Sequence, residues 1–452
     1  MVLGLLKKFL PVLCLALLTA CAARPPLRVG AVVPSATQVS IDRDGDGWTA
    51  HFHFAVDAPI WAFARSAVLQ ADETPWRPKS WDVVTPGVSL TRIGDFDAFV
   101  AGDGKVPRDV TIRFRPLGDV LITGYDPAII LSDGTLALYG GQFDAFPAQS
   151  REAVEALPEP EDYPARISLA AGGTPLIFAG RRMMRVDDVG DNYVYVGDAA
   201  LVPDDPVATI LDPGLPVWIS TNLRAFTPSV FSAFEASMGP HKGSRPMVIA
   251  SWAGTDDPGA SMSGSVSSGL ITMRLEGARL RDETPGVLQH VRWFIAHEAA
   301  HFWLGETVGP AARDDAWIME GGADFLAMQA TLRADPGYDA SKFMAEARAD
   351  CATALAKGPL AAARRRNDPR ADYACGALFA QVVETAGKPR GEGFADFVRI
   401  LIETDADRQV TPAEWLAAAR AFGVSAEQAE RIEALIAGDP NAAPIIDALL
   451  GD

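Results

Sequence analysis

The feature that most constrains the fold of this chain is the segment His297-Glu298-Ala299-Ala300-His301. In an α-helix, side chains four residues apart lie on the same face, so both imidazoles can bind one metal ion when the segment is helical. Glu298 lies about 100° around the helix from His297, where its carboxylate can reach a metal-activated water without becoming a ligand. The pattern therefore predicts a helix that carries a zinc site, with Glu298 as general base. The alternative is a pair of helical histidines that form ordinary surface or core hydrogen bonds.

The residues on either side of this motif carry the signals of helix ends. Thr284 is a favourable N-cap, Pro285 suits the first helical position, and Gly305 suits the position after the last turn. These signals predict a helix over 285–304.

A carboxylate that could serve as a third metal ligand follows the motif. Eighteen residues separate His301 from Glu320, which stands in a predicted helix over 318–333. Two histidines and one carboxylate leave the fourth zinc position open for water, as a catalytic site requires. Asp324 lies four residues after Glu320 on the same helical face, where it could accept a hydrogen bond from a ligating histidine. The alternative for Asp324 is a solvated residue on the helix surface.

The array HExxH-x18-E resembles the gluzincin metallopeptidases of the aminopeptidase N type, whose third ligand lies in a W-[LI]-x-E-G-x-A segment. That resemblance implies a zinc cofactor, a peptide substrate and a thermolysin-like catalytic domain. Tyr373, in Asp372-Tyr373-Ala374-Cys375-Gly376, resembles the tyrosine of the family's Y-x-K-G-A segment, which stabilises the oxyanion of the tetrahedral intermediate. Here a cysteine replaces the lysine, and an ordinary buried tyrosine is the alternative.

One family motif is absent. Gly269-Leu270-Ile271-Thr272 resembles the strand that follows the G-x-M-E-N motif of these aminopeptidases, but Val266 stands where the amine-binding glutamate is expected. The related glycyl aminopeptidases are similar as well. Aminopeptidase specificity is therefore not implied, and an endopeptidase or an amine site built from other acids is equally allowed.

The hydrophobic pattern predicts an α+β fold with two domains. Alternating apolar and polar residues with Gly-, Pro- and Asp-rich turns predict an antiparallel β domain over 27–214. The catalytic domain is predicted over 215–452, as a small mixed sheet followed by a helical body. Its first elements are a predicted strand at 215–220 and a helix at 227–238. The further helices are predicted at 340–355, 373–385, 394–404, 412–421 and 426–437.

The first residues predict a bacterial lipoprotein signal. Residues 1–20 contain two lysines followed by an apolar stretch, and they end in Leu18-Thr19-Ala20 before Cys21. Lipidation of Cys21 would anchor the chain through a tether at 21–26. We therefore expect an extracytoplasmic, membrane-anchored protein, with the outer membrane or the periplasmic side favoured. A plain secretory signal is the alternative.

Two cysteines remain once the signal is removed and Cys21 is lipidated. In an oxidising compartment, Cys351 and Cys375 are expected to form a disulfide, and two separate thiols are the alternative. The formal charge of −18 argues against a nucleic-acid partner. The basic run at 364–366 is predicted to be a solvated loop rather than a nucleic-acid or lipid patch, and because it is close to Tyr373 in sequence it could border the cleft.

Two classes of function fit this sequence. The first is a zinc peptidase. The second is a catalytically inactive, lipid-anchored binding or assembly protein on the same fold. An inactive descendant is expected to lose Glu298 or Tyr373 first, because neither holds the metal, and the chain retains both.

Overall fold

The computed structural model describes residues 37–45, 47–102, 104–158, 163, 165–202, 205–243, 245–404, 408–438 and 442–450. The predicted signal at 1–20, the tether at 21–26 and Cys21 lie outside these residues and stay predictions. No helix among the described residues has the length and apolar character needed to cross a membrane.

The first part of the described chain is built from short strands. The alternation in the sequence matches burial, since inward residues such as Trp48 and Phe52 are buried and their neighbours along the strand face outward. The strands are β1 (Gln38–Asp44), β2 (Gly47–His53), β3 (Ile60–Phe63), β4 (Trp81–Val83), β5 (Val88–Ile93), β6 (Phe96–Ala101), β7 (Asp109–Phe114), β8 (Ala128–Ile130), β9 (Leu136–Tyr139), β10 (Ala145–Ala148), β11 (Arg166–Ala170), β12 (Leu176–Phe178), β13 (Arg181–Met183), β14 (Arg185–Val186), β15 (Tyr193–Val196) and β16 (Ala208–Leu211). Two short helices interrupt them, α1 (Arg77–Ser80) and α2 (Arg151–Glu155).

Strands β1 to β15 form three sheets with the orders β14-β11-β1-β2-β7-β4, β10-β3-β6-β5 and β13-β12-β15-β9-β8. The pairing is antiparallel except between β1 and β11, which run parallel. The predicted β domain is therefore largely, but not wholly, antiparallel. Its core is rich in aromatic rings, and Phe54 stacks on Trp61 with ring centroids 4.0 Å apart.

A fourth sheet supports the candidate site. It contains β16, β17 (Met247–Trp252), β19 (Leu270–Glu276) and β18 (Ser261–Ser267), in that order. β16, β17 and β19 are parallel, and β18 is an antiparallel edge strand. β16 precedes the boundary predicted at residue 214 but pairs with β17, so this sheet begins earlier than the sequence predicted.

Helices make up most of the remaining chain. They are α3 (Val217–Met238), α4 (Pro285–Ala300), α5 (Trp317–Ala334), α6 (Ala340–Leu355), α7 (Arg370–Gly387), α8 (Phe394–Thr404), α9 (Pro412–Ala421), α10 (Ala426–Ala437) and α11 (Ala442–Leu450), with a short parallel pair of β20 (Gly309–Pro310) and β21 (Gln409–Val410). The predicted bounds of α6, α8, α9 and α10 agree with the structure, and α5 and α7 extend slightly beyond their predicted ends.

The prediction for the start of the second half was wrong. Residues 215–220 do not form a strand, and Pro228 lies inside α3 rather than at its first position. The helix loses the hydrogen bond that the proline nitrogen cannot donate. Burial of a stripe of apolar side chains at helical spacing stabilises the helix by more than that loss. These side chains are Ile219, Leu223, Phe226, Val230, Phe231, Phe234 and Met238.

Candidate metal centre and active-site pocket

The helix α4 presents the HExxH motif from its last turn. Thr284 caps its start by accepting a hydrogen bond from the backbone N–H of Val287, and Pro285 occupies the first position, as the sequence predicted. The end differs, because α4 stops at Ala300 rather than at residue 304. The backbone N–H of Phe302 donates a hydrogen bond to the carbonyl of Ala299, three residues earlier, so the chain tightens into turns. Gly305 follows with a φ of +130°.

The structure brings the three predicted metal ligands together. His297 Nε2 and His301 Nε2 are 3.1 Å apart, and Glu320 Oε2 lies 3.6 Å and 3.4 Å from them. Zinc in tetrahedral geometry, at ~2.0–2.1 Å from each ligand, requires ligand atoms about 3.3–3.4 Å apart. Glu320 Oε2 is buried and has no hydrogen-bond partner. A buried carboxylate oxygen facing two imidazole nitrogens at this spacing fits a zinc ion.

Each ligating imidazole is oriented by a contact to its other nitrogen. His301 Nδ1 lies 3.0 Å from the carbonyl oxygen of Leu304, which accepts a hydrogen bond only if Nδ1 carries the proton. His297 Nδ1 lies 2.9 Å from Oδ1 of Asp324, whose side chain is 1% exposed. The Leu304 contact places a proton on Nδ1 of His301, and the charge of the nearby Asp324 carboxylate favours one on Nδ1 of His297, which leaves the lone pair of each Nε2 for a metal. Asp324 therefore lies beside the outer nitrogen of His297, and its role toward that histidine stays a prediction.

The electrostatics of the metal-free centre follow from these contacts. Burial lowers the pKa of His297 because it disfavours the charged imidazolium. The effect of Asp324 and Glu320 is larger, and together they raise the pKa of His297 to about 10. Burial also opposes ionisation of Glu320, yet the closeness and charge of His297 and His301 hold its pKa well below the usual range. The centre therefore contains an ionised carboxylate beside an imidazolium, and a divalent cation can replace that proton.

Two glycines bring Tyr373 to the centre. α5 packs against both α4 and α7, and it meets α7 where Gly321 faces Gly376. A Cβ atom on Gly321 would overlap the backbone of Gly376, and one on Gly376 would overlap the carbonyl oxygen of Trp317. The close approach of the two backbones places the ring of Tyr373 parallel to His297, with centroids 5.7 Å apart.

The remaining predicted catalytic groups face the same cavity. Glu298 is 7% exposed, and burial raises its pKa above the usual range. Burial and the negative charge of Glu320 raise the pKa of Tyr373. At neutral pH, Tyr373 is thus a neutral hydrogen-bond donor. The carboxylate and the phenol are the groups that a hydrolytic reaction needs as base and as oxyanion donor.

A disulfide and an arginine support this region. Cys351 of α6 is bonded to Cys375 of α7, two residues after Tyr373, which is the pairing expected from the cysteine count. The basic run at 364–366 was predicted to be a solvated loop that could border the cleft, and the structure shows Arg365 exposed and Arg364 partly buried beside the centre. Arg364 is 26% exposed, with Nε 2.8 Å from Asp372 and Nη2 3.4 Å from Oε1 of Glu320. It therefore contacts the oxygen of the ligand that faces away from the histidines.

The cavity over the centre has a volume of about 340 Å³. One wall is β18, where Gly264 lies against α4, because a Cβ there would overlap the ring of Phe294. Val266 lines this wall at the position where the glutamate motif is absent from the sequence. Glu306, which sequence reasoning did not identify, lines the cavity as well. The only sequence signal for Glu306 was its position directly after Gly305, a few residues beyond the HExxH motif.

Comparison with known proteins yields similarity in structure only. No protein-family model and no curated protein matches the chain. Among solved structures it is similar to the M1 zinc metallopeptidase of Deinococcus radiodurans, both as a Glu-to-Ala mutant bound to a Tyr-Ser-Ala substrate (TM-score 0.49) and in a second crystal structure (TM-score 0.46). Each comparison has 16% sequence identity and covers 90% of this chain and 95% of the other. Because these values are low, the functional conclusion depends on the geometry of the site.

Proposed function

We propose that this protein is a zinc-dependent peptidase with a thermolysin-like catalytic domain. The observation that carries the proposal is the triangle of His297, His301 and Glu320, whose ligand atoms have the spacing that zinc requires. A structural zinc site is usually closed by four protein ligands. Among the described residues, the group that can hold a metal contains three. The fourth coordination position would face a cavity lined by Glu298 and Tyr373, a carboxylate and a phenol that do not hold the metal. This arrangement favours a catalytic site.

Each residue of the site has a different role in the proposed peptide hydrolysis. A zinc ion held by His297, His301 and Glu320 would supply a Lewis acid and lower the pKa of the attacking water. Glu298 takes the proton of that water and later gives it to the leaving amine. Tyr373 donates a hydrogen bond to the oxygen that becomes negative in the tetrahedral intermediate. Asp324 holds His297 in the tautomer that can bind zinc.

The proposal is tested by metal content and peptide cleavage together. The zinc-loaded protein is incubated with a mixed peptide library, and products are identified by mass spectrometry. We expect one zinc per chain and cleavage by the wild type, with loss of cleavage in Glu298→Ala at equal zinc content. Tight zinc binding with no cleavage by the wild type would overturn the peptidase proposal and favour the inactive binding or assembly protein.

We further propose that Cys21 carries lipid and anchors the protein on the extracytoplasmic side of a membrane. The support is the sequence of residues 1–21 alone. Intact-mass measurement of the protein from membranes would show the added acyl mass on Cys21. A chain that begins at residue 1 without added mass would contradict this proposal.

A further inference from the structure

Arg364 joins the candidate metal centre to the helix that carries Tyr373. Its Nη2 lies 3.4 Å from Oε1 of Glu320 on α5, and its Nε lies 2.8 Å from Oδ2 of Asp372 on α7. Asp372 is fully buried and directly precedes Tyr373. A guanidinium carries its N–H groups in a rigid, planar fork, so this one side chain holds both carboxylates at set positions. Arg364 has no role in the mechanism proposed above.

The segment that carries Arg364 is held by its other side chains. Arg364–Arg366 form a single 3₁₀ turn between α6 and α7. Arg365 forms an ion pair with Asp314, in the turn that precedes α5, and Arg366 donates a hydrogen bond of 2.6 Å to the carbonyl oxygen seven residues earlier. Because its two neighbours have partners of their own, the turn directs Arg364 between α5 and α7.

The two oxygens of Glu320 face different partners. Oε2 lies 3.6 Å and 3.4 Å from the Nε2 atoms of His297 and His301, whereas Oε1 accepts a hydrogen bond from Arg364. A carboxylate can bind a metal through one oxygen or through both. An oxygen that already accepts a charge-assisted hydrogen bond is less available to the metal. The contact with Arg364 therefore leaves Oε2 as the oxygen that faces the metal position.

A catalytic metal needs the position that the second oxygen of Glu320 would occupy. A catalytic zinc has three protein ligands and leaves the next position to water or substrate. Binding through both oxygens of Glu320 would fill such a position with protein. We propose that Arg364 is a positioning residue that keeps Glu320 a ligand through one oxygen, so that the metal stays open to water and substrate. This inference rests on the proposed zinc peptidase and adds a residue to its mechanism.

The visible absorption spectrum of the cobalt-substituted protein tests this proposal without turnover, because cobalt(II) absorbs more strongly in four-coordinate than in five-coordinate sites. At full cobalt occupancy, Arg364→Gln is expected to lose absorption intensity, since Glu320 gains a second contact with the metal. The zinc form of this variant should have a kcat about 10- to 100-fold below that of the wild type. Arg365→Gln removes the neighbouring exposed arginine, and this matched control should keep the wild-type spectrum and kcat.

A second variant separates the effect on Glu320 from an effect on folding. Arg364→Gln alone leaves Asp372 buried without its cation, which destabilises the fold for a reason unrelated to the metal. Combining Arg364→Gln with Asp372→Asn removes that buried charge as well. We expect the double variant to show the same loss of cobalt absorption as the single variant.

Three results would overturn the assignment. An unchanged spectrum in Arg364→Gln would show that Arg364 does not control the coordination of Glu320. A loss of intensity that Asp372→Asn reverses would identify the unpaired Asp372 as its cause. Either result, with a wild type that binds cobalt and cleaves peptides, rejects Arg364 and leaves the peptidase intact. A wild type that binds neither cobalt nor zinc would reject the proposed metal centre, and this inference with it.

Discussion

Asp324→Asn tests how far the metal centre depends on a residue that does not touch the metal. Asp324 is almost fully buried, and its Oδ1 lies 2.9 Å from Nδ1 of His297. If this contact forms a hydrogen bond once His297 binds zinc, it contributes about 1.5–3 kcal/mol, which corresponds to roughly a 10- to 150-fold change in an equilibrium constant. Loss of a carboxylate behind a zinc-binding histidine typically weakens metal binding 10- to 100-fold. The two estimates agree, and we expect zinc affinity to fall by about 10- to 100-fold.

The same substitution is expected to change the number of protons released when zinc binds. The pKa of His297 is raised to about 10, so at pH 8.5 the metal-free protein holds a proton there that zinc must displace. Asp324→Asn removes the largest cause that raises this pKa, so less of this proton is bound before zinc binds. Calorimetry in buffers of different ionisation enthalpy should show fewer protons released by the variant. Ionisation of a zinc-bound water contributes equally to both proteins and cancels in the comparison.

The assay is competition for zinc against a chromophoric chelator. Asp282→Asn removes the same charge at an exposed position before α4 and is expected to leave zinc affinity unchanged. The reasoning is refuted if Asp324→Asn binds zinc as tightly as the wild type. It is also refuted if the two proteins release equal numbers of protons.

Three further perturbations follow from the contacts around the centre. Tyr373→Phe is expected to lower kcat about 100- to 1000-fold with little change in KM or zinc content, measured by steady-state kinetics; an unchanged kcat would exclude the phenol as oxyanion donor. Gly321→Ala should reduce the free energy of unfolding by about 3 kcal/mol in urea denaturation, because its Cβ would overlap the backbone of α7. Gly286→Ala, where a Cβ meets open space, should be neutral or stabilising, and equal effects of the two would contradict the packing argument. Replacing Cys351 and Cys375 together by serine should reduce stability by about 3 kcal/mol, given their separation of 24 residues, and no change in thermal unfolding would show that the bond is dispensable.

The sequence predicted the parts of the site that local spacing determines. The candidate metal ligands lie on α5 and at the end of α4, where helical periodicity alone places His297 and the C-cap residue His301 on one face. The N-cap and the first-position proline of α4 are local signals too, and both agree with the structure. Glu320 and Tyr373 were identified by resemblance, and the structure brings both to the centre.

The features that the sequence missed depend on tertiary contacts. Arg364 looked like a solvated residue because its partners, Asp372 and Glu320, meet it only after α5 and α7 pack together. Glu306 accepts a hydrogen bond from Gly269, in a turn nearly forty residues earlier in the chain. Periodic patterns in a sequence do not indicate contacts over such a separation. The start of α3 was predicted wrongly because a short apolar run such as 215–220 fits a strand as well as a buried helix, and only its packing decides.

The central claim is that a metal centre on α4 and α5 hydrolyses peptide bonds with Glu298 as base. The most direct test compares kcat of the zinc-loaded wild type and Glu298→Gln on one peptide that the wild type cleaves. Zinc content is measured in the same samples, so that occupancy is equal. We expect kcat to fall by about 10²- to 10⁴-fold in the variant while zinc content is unchanged. Equal kcat values at equal zinc occupancy would contradict the role of Glu298 and the mechanism built on it.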